Sequence, residues 1–133
     1  MSSLEVRVYY EDTDSGGVVY YANYLKFIER GRSEFLRDMG FEQDQLIQDQ
    51  GVIFAVKSLQ ADYLLPARFN DLLTVHTEVE KARRASLIFS QKIKGLKQNK
   101  VLFKAQITVA CLDARNFKPC AIPSDILEKI NGQ

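Results

Sequence analysis

The strongest constraint on the fold of this chain is a run of alternating side chains near its C-terminal end. Within residues 101–112 every second side chain is apolar, which gives one row of Val101, Phe103, Ala105, Ile107, Val109 and Cys111. Successive side chains of a strand point to opposite faces, so a period of two is typical of a strand with one buried face. Residues 52–63, 72–79 and 85–93 alternate in the same way. The second half of the chain is therefore predicted to form four strands.

A helical period marks residues 23–39 instead. The apolar residues in this segment recur at helical spacing: Tyr24, Leu25, Phe27, Ile28, Phe35, Leu36 and Met39. This pattern predicts one long helix with a broad apolar face. Asn23 is the predicted N-cap, and Gly40 is the predicted left-handed residue that stops the helix.

The remaining segments complete the predicted topology. Residues 5–11 are predicted to be a first strand, 12–17 a turn, 42–51 a polar link, and 124–130 a short closing helix. Turns at residues 70–71 and 95–100 separate later strands. The order of elements predicts an α+β fold for residues 1–133 as a single domain, in which an antiparallel sheet of about five strands packs on one long helix.

Composition limits the classes of partner. Lys and Arg number 18 against 17 Asp and Glu, so the net charge gives no reason to expect nucleic acid or an anionic membrane. Cys111 and Cys120 lie nine residues apart beside a single His, a pattern that disfavours a zinc site and predicts two reduced thiols. The sequence shows no signal-peptide pattern and no apolar run long enough for a membrane span, so we expect a cytoplasmic protein.

An acidic turn directly before the long helix is the main candidate site. Asp12, Asp14, Gly16 and Gly17 lie in the segment DTDSGG. An Asp in such a turn often only caps the backbone. Here, however, the free amides of a helix start could polarise a carbonyl oxygen, and an adjacent carboxylate could attack that carbonyl or activate water.

Thioester substrates suit a site made of a carboxylate and helix-start N–H groups better than amide substrates do. A thiol with a pKa of about 8.5 leaves as thiolate without a strong general acid. His76 is predicted to lie on a polar strand face without a chemical role, and no GxSxG, Walker or GxGxxG motif is present. Tyr10 and Tyr21 are the two tyrosines whose hydroxyls could serve the acidic turn.

Basic residues form two clusters that the sequence leaves open. Arg83 and Arg84 lie with Lys81 at a predicted hairpin turn, and Lys92 lies near Lys94 and Lys97. Either cluster could be a solvated surface. Arg83, Arg84 and Lys92 would alternatively suit the phosphates of a nucleotide-bearing thiol such as coenzyme A.

The segment YEDTDSGGVVYYANYLKFIERGR, residues 10–32, closely resembles the signature of the 4-hydroxybenzoyl-CoA thioesterase family, especially its YbgC-type acyl-CoA thioesterases, which are associated with the Tol-Pal cluster. The resemblance implies a hotdog fold that forms dimers or tetramers with active sites between chains. It implies that Asp14 is the catalytic carboxylate, that the backbone near Tyr21 polarises the thioester carbonyl, and that Tyr10 assists. It implies no cofactor beyond the coenzyme A thioester substrate.

One departure from this pattern leaves alternatives open. YbgC-type members usually carry His at the position of Tyr21, and a Tyr cannot act as an imidazole base near neutral pH. A hotdog hydratase is disfavoured because Val19 stands where such enzymes carry His. A non-catalytic acyl-carrier protein, or an adaptor associated peripherally with a Tol-Pal-related membrane complex, stays a second hypothesis.

Overall fold

Each alternating segment of the sequence forms a strand in the computed structural model, which describes residues 2–132. The strands are β1 (Ser2–Arg7), β2 (Val52–Tyr63), β3 (Leu72–Ala82), β4 (Ser86–Gly95) and β5 (Lys100–Asp113). They pair antiparallel in the spatial order β1-β3-β4-β5-β2. The predicted α+β architecture with a five-stranded antiparallel sheet is confirmed.

The long helix α1 (Asn23–Asp38) packs on one face of this sheet. Its apolar face inserts Phe27 and Phe35 into the core, where the rings of Phe35 and Phe89 meet edge to face at 5.7 Å. Gly31 allows this close approach, because a Cβ there would lie 2.8 Å from atoms of Val75 and Thr77 on β3. The packing therefore explains why a glycine interrupts an otherwise strong helix sequence.

Two further helices follow α1 along the chain. α3 (Ser124–Asn131) is the predicted closing helix. The prediction of a polar link at residues 42–51 is wrong, because this segment contains the helix α2 (Gln43–Gln50). Leu46 is its one buried residue. A segment that buries only one side chain shows little helical periodicity in its sequence. Gly40 and Gly51 both adopt positive φ angles, which confirms the predicted left-handed stop after α1.

The first strand is shorter and earlier than predicted. β1 ends at Arg7, and Tyr10–Asp12 form a single turn of 3-10 helix instead of continuing the strand. The Asp12 carboxylate accepts the backbone N–H of Tyr9 at 2.8 Å, so this side chain folds the backbone away from the strand path. Val8 remains buried and still pairs with the backbone of Asn70 and Asp71.

The sheet has two distinct ends. At the first end, called here the helix-start end, β2 finishes at Tyr63 and the hydroxyl of Tyr63 donates to the carbonyl of Tyr21, at 2.9 Å. At the second end, the hairpin end, residues 83–85 connect β3 to β4, and β2 begins. α1 runs from the first end towards the second.

Candidate active site

The acidic turn and the start of α1 are joined through one carbonyl. The Asp12 carbonyl oxygen accepts the Tyr20 backbone N–H at 2.9 Å and the Asn23 side-chain Nδ2 at 2.9 Å. The predicted N-cap role of Asn23 is therefore wrong: Ala22 occupies the N-cap position, and Asn23 is the first helical residue. Asn23 instead fixes the acidic turn against the helix, so the relative position of the two is set by hydrogen bonds.

The two aspartates of the turn differ in how their carboxylates are used. Asp12 closes the 3-10 turn through Tyr9, as described above. Asp14 is exposed, and its Oδ1 accepts the backbone N–H of Gly16 at 2.8 Å. Within residues 2–132 its Oδ2 accepts no hydrogen bond and no cation pairs with it. Asp14 is thus held in place by one oxygen and presents the other to solvent.

Glycine is required in the turn that holds Asp14. Gly17 has a φ of 79°, a conformation that residues with a Cβ adopt only with strain. The Gly17 backbone N–H donates to the Asp14 carbonyl at 3.1 Å, and the Asp14 N–H donates to Val18 at 2.9 Å. The glycine pair predicted to let a ligand approach the backbone therefore also fixes the position of the Asp14 carboxylate.

Backbone amides at the start of α1 are available to a ligand. Within the described part of the chain, the N–H groups of Tyr21 and Ala22 donate to no backbone carbonyl. The Tyr21 carbonyl, in contrast, is fixed by the hydroxyl of Tyr63. Unpaired donors at the positive end of a helix favour a developing negative charge on a ligand oxygen. These two amides are compatible with the predicted oxyanion site, whose role stays a prediction.

The hydroxyls of Tyr10 and Tyr21 make no hydrogen bond to Asp14 in the single chain. The Tyr10 ring stacks on Phe69, with ring centroids 4.0 Å apart and planes 9° apart. The Tyr21 ring contacts Tyr63 edge to face at 6.3 Å. Both tyrosines are exposed, and a catalytic role for either hydroxyl stays a prediction.

The predicted phosphate-binding residues lie away from Asp14 in the single chain. Arg83 and Arg84 are exposed at the hairpin end, separated from Asp14 by the length of β3, which is about 35 Å for eleven residues. Lys92 projects from β4 on the sheet face opposite α1, next to half-buried His76. Burial first, and then Lys94 and Lys92, lower the pKa of His76. One chain therefore does not bring Arg83, Arg84 or Lys92 to Asp14.

Two residues with specific contacts were not given a role from the sequence. Tyr63 supports the backbone of Tyr21 through its hydroxyl, and partial desolvation, followed by the neighbouring Tyr21, raises the pKa of Tyr63. Arg32 donates from Nη1 to the Oε1 of buried Gln91 at 3.0 Å. Gln91, a buried polar residue on the apolar face of a strand, is the signal in the sequence for this contact.

No cluster of three or more His, Cys, Asp and Glu side chains within residues 2–132 is arranged to hold a metal ion. Among the same residues, no helix has both the length and the apolar character needed to cross a bilayer.

Comparison with known proteins identifies the family of this chain. Residues 16–102 match the thioesterase superfamily model, a segment that begins just after Asp14. The acyl-CoA thioesterase YbgC of Haemophilus influenzae is 46% identical over 124 residues, which cover 93% of this chain and 90% of that protein.

Solved structures show the same fold. A probable thioesterase from Bartonella henselae superposes with a TM-score of 0.87 at 36% identity, covering 92% of this chain and 98% of that chain. A DHNA-CoA thioesterase from Staphylococcus aureus superposes with a TM-score of 0.91 at 25% identity, covering 98% and 89%. The fold is the hotdog fold, as the resemblance implied. The chain belongs to the thioesterase superfamily and is a homologue of the YbgC acyl-CoA thioesterases.

Proposed function

We propose that this protein hydrolyses acyl-CoA thioesters to a carboxylic acid and free coenzyme A, with Asp14 as the carboxylate that acts on the thioester carbonyl. The observation that carries the proposal is the unpaired Oδ2 of Asp14, held by a glycine turn beside a helix start with free amides. Relatives named acyl-CoA thioesterases, similar over most of the chain, support this assignment.

The reaction follows from these two groups. The amides of Tyr21 and Ala22 hold the carbonyl oxygen as negative charge develops on it. Asp14 then either attacks the carbonyl carbon or takes a proton from an attacking water. The thiol leaves as thiolate, so the site needs no strong acid to complete the cleavage. Tyr21 in place of an imidazole leaves the Asp14 carboxylate as the base at this site.

A second copy of the chain is proposed to complete the site. β2 lies at the edge of the sheet, paired with β5 on one side, and exposes Val56, Leu59 and Tyr63. A long apolar edge strand is a ready template for pairing with another chain. Antiparallel pairing of β2 with itself would place the hairpin end of one chain beside the helix-start end of the other.

This pairing also gives Arg83 and Arg84 a role. The two arginines of the second copy would lie at the same end of the joined sheet as Asp14, beside β4, which is the third strand from the β2 that ends at Tyr63 in the first copy. With neighbouring strands about 4.8 Å apart, that lateral separation is roughly 15 Å, which suits an extended substrate. We therefore propose that Arg83 and Arg84 of one chain bind the phosphates of a substrate cleaved at Asp14 of the other. Lys92 points away from this path.

The proposal is tested by measuring free thiol released from a panel of acyl-CoAs by wild-type protein and by Asp14→Asn. We expect the substitution to lower kcat by about 10² to 10⁴, the usual contribution of such a group. Asp12→Asn is the matched control, because its amide oxygen can still accept the Tyr9 N–H. Undiminished turnover by Asp14→Asn would contradict the assignment. No turnover by the wild type on any substrate would favour the non-catalytic carrier or adaptor.

A further inference from the structure

The two cysteines of the chain meet at the hairpin end, where β5 finishes. Cys111 lies on β5, Cys120 follows the turn after this strand, and their sulfur atoms are 3.7 Å apart. The chain turns back after β5, so that Pro119 forms an antiparallel bridge with Leu112. The Cys120 backbone N–H donates to the Cys111 carbonyl at 3.0 Å. The backbone therefore holds the two cysteines at opposed positions of neighbouring extended segments.

This placement meets the geometric requirement for a disulfide. Opposed, hydrogen-bonded residues of antiparallel strands have Cα atoms about 5.5 Å apart. That distance lies inside the range of about 4.4–6.8 Å that disulfides span. Both thiols are free in this structure, and their sulfur atoms need to approach by about 1.7 Å to reach the bond length of about 2.05 Å. A side-chain rotation of half-buried Cys120 supplies this movement without a change of backbone.

The two thiols differ in which of them an oxidant from solvent meets first. Cys111 is 0% exposed, whereas Cys120 is half-buried. Burial, and then the neighbouring Cys120, raise the pKa of Cys111 to about 12, so Cys111 stays protonated. The thiolate is the form of cysteine that reacts with an oxidant. Cys120 is therefore the residue that reacts first, and Cys111 is the buried partner beside it.

We propose that Cys111 and Cys120 form a modification site at which a hydroperoxide converts the two thiols into a reversible disulfide. The Cys120 thiolate attacks one peroxide oxygen, the O–O bond breaks, and the second oxygen leaves with a proton as water or an alcohol. The sulfur of Cys120 becomes a sulfenic acid. The Cys111 sulfur then attacks the Cys120 sulfur, the S–S bond forms, and the hydroxyl leaves as water with the proton of Cys111.

The disulfide would reinforce the hairpin end, because both cysteine segments contact the loop between β3 and β4. The Cys111 N–H donates to the Ala85 carbonyl at 2.9 Å, and the Ile122 N–H donates to the Arg84 carbonyl at 2.8 Å. A bond between Cys111 and Cys120 therefore ties together the two segments that hold this loop. Cross-linking also restricts the unfolded chain and thereby favours the folded state. None of these steps depends on the thioesterase function proposed above.

The first experiment treats the full-length protein with hydrogen peroxide and maps its disulfides by mass spectrometry. Tryptic digestion places Cys111 in the peptide 105–115 and Cys120 in the peptide 116–129. We expect these two peptides to be linked, with the loss of two hydrogen atoms. The protein should run as a single chain on a non-reducing denaturing gel. Dithiothreitol should separate the peptides again.

Thermal unfolding measures the consequence of the cross-link. The oxidised wild type is expected to have a Tm about 5–10 °C above that of the reduced protein. Dithiothreitol should return the Tm to its starting value. Peroxide also oxidises methionine, but dithiothreitol does not reverse that change, so a reversible shift in Tm belongs to the disulfide.

Two variants identify the role of each cysteine. Cys111→Ala leaves Cys120 without a thiol to condense with, so its sulfenic acid should persist. Dimedone, which labels sulfenic acids, should then modify Cys120 about tenfold more than in the wild type, where the adjacent thiol consumes the intermediate. Cys120→Ser removes the residue that reacts first. Its Tm should be the same before and after peroxide treatment.

Each contrary outcome overturns the inference and leaves the thioesterase proposal intact, because thiol release from acyl-CoA is measured on the reduced protein. Retention of both thiols under peroxide is one such outcome, and accumulation of sulfenic or sulfinic acid on Cys120 of the wild type is another. A disulfide between two chains contradicts the pairing of Cys111 with Cys120. A Tm of the oxidised protein at or below that of the reduced protein contradicts the reinforcement of the hairpin end.

Discussion

The two ends of α1 differ in how completely one chain covers them. Towards its C-terminal end, Phe35 is 1% exposed and packs against Phe89. Around its start, Tyr10 and Tyr21 are 78% and 63% exposed, and Asp14 lies beside them. Large aromatic side chains are costly to leave in water. This difference fits the proposals above, in which the second half of the helix is packed into the fold, while the residues around its start contact a substrate and a second chain.

Truncation at the covered end should give the largest loss of stability. We expect Phe35→Ala to lower the free energy of unfolding by about 3–5 kcal/mol, because it leaves a cavity in the core. Tyr9→Ala, which removes a ring that is 61% exposed, should cost less than about 0.5 kcal/mol. Chemical denaturation measures both. Equal losses of unfolding free energy for the two variants would contradict the expected difference between covered and exposed aromatic side chains.

Charges on the edge strand should separate the proposed pair of chains. Val56 and Leu59 are exposed on β2, and lysines at an edge oppose strand pairing. Light scattering is expected to give a mass of two or four times the 15.2 kDa chain for the wild type and a lower mass, without β2 pairing, for the Val56→Lys/Leu59→Lys variant. Thioesterase activity should fall at least about tenfold with the loss of pairing. A wild-type protein that is active as a single chain would refute this part of the account.

Removing one hydroxyl should affect the start of the helix more than the fold. Tyr63→Phe deletes the hydrogen bond to the Tyr21 carbonyl and should cost about 0.5–1.5 kcal/mol of stability. If that bond orients the Tyr21 amide, kcat should fall about tenfold while KM changes little. Steady-state kinetics and thermal unfolding distinguish the two effects, and an unchanged kcat would mean that Tyr63 serves packing alone.

The smallest effect is expected at the two thiols. Burial, and then the neighbouring Cys120, raise the pKa of Cys111 to about 12, so its thiol remains protonated and unreactive near pH 8. Half-buried Cys120 should therefore react first with iodoacetamide. The raised pKa favours the neutral thiol in the folded state. The stabilisation that the Cys111 thiol gives the folded state should therefore weaken as the pH rises above about 9, the pKa of this thiol in the unfolded chain. Faster alkylation of Cys111 would contradict this assignment.

The sequence predicted the covered end of the molecule better than the exposed end. Alternation located the strands, and Phe27 and Phe35 located α1, because burial imposes periodic patterns. The 3-10 turn at Tyr10–Asp12 and the helix α2 were missed, since one side-chain hydrogen bond and one buried Leu46 decide them. Such local contacts leave no period in the sequence.

The geometry of the candidate site was predicted in part for the same reason. Asp14, its glycine turn and the helix amides lie close together in the chain, so their proximity followed from the sequence. Tyr63 and Arg32 act through contacts with residues 42 and 59 positions away, which no local pattern reveals. The roles of Arg83 and Arg84 depend on how two chains meet, which a single chain does not determine.

The most direct test of the central claim is a crystal structure of Asp14→Asn with an intact acyl-CoA bound. We predict that the thioester oxygen lies about 2.7–3.1 Å from the amide nitrogens of Tyr21 or Ala22, with residue 14 about 3–3.5 Å from the carbonyl carbon or joined to it by one water. A thioester bound away from the start of α1, with residue 14 facing bulk solvent, would contradict the account.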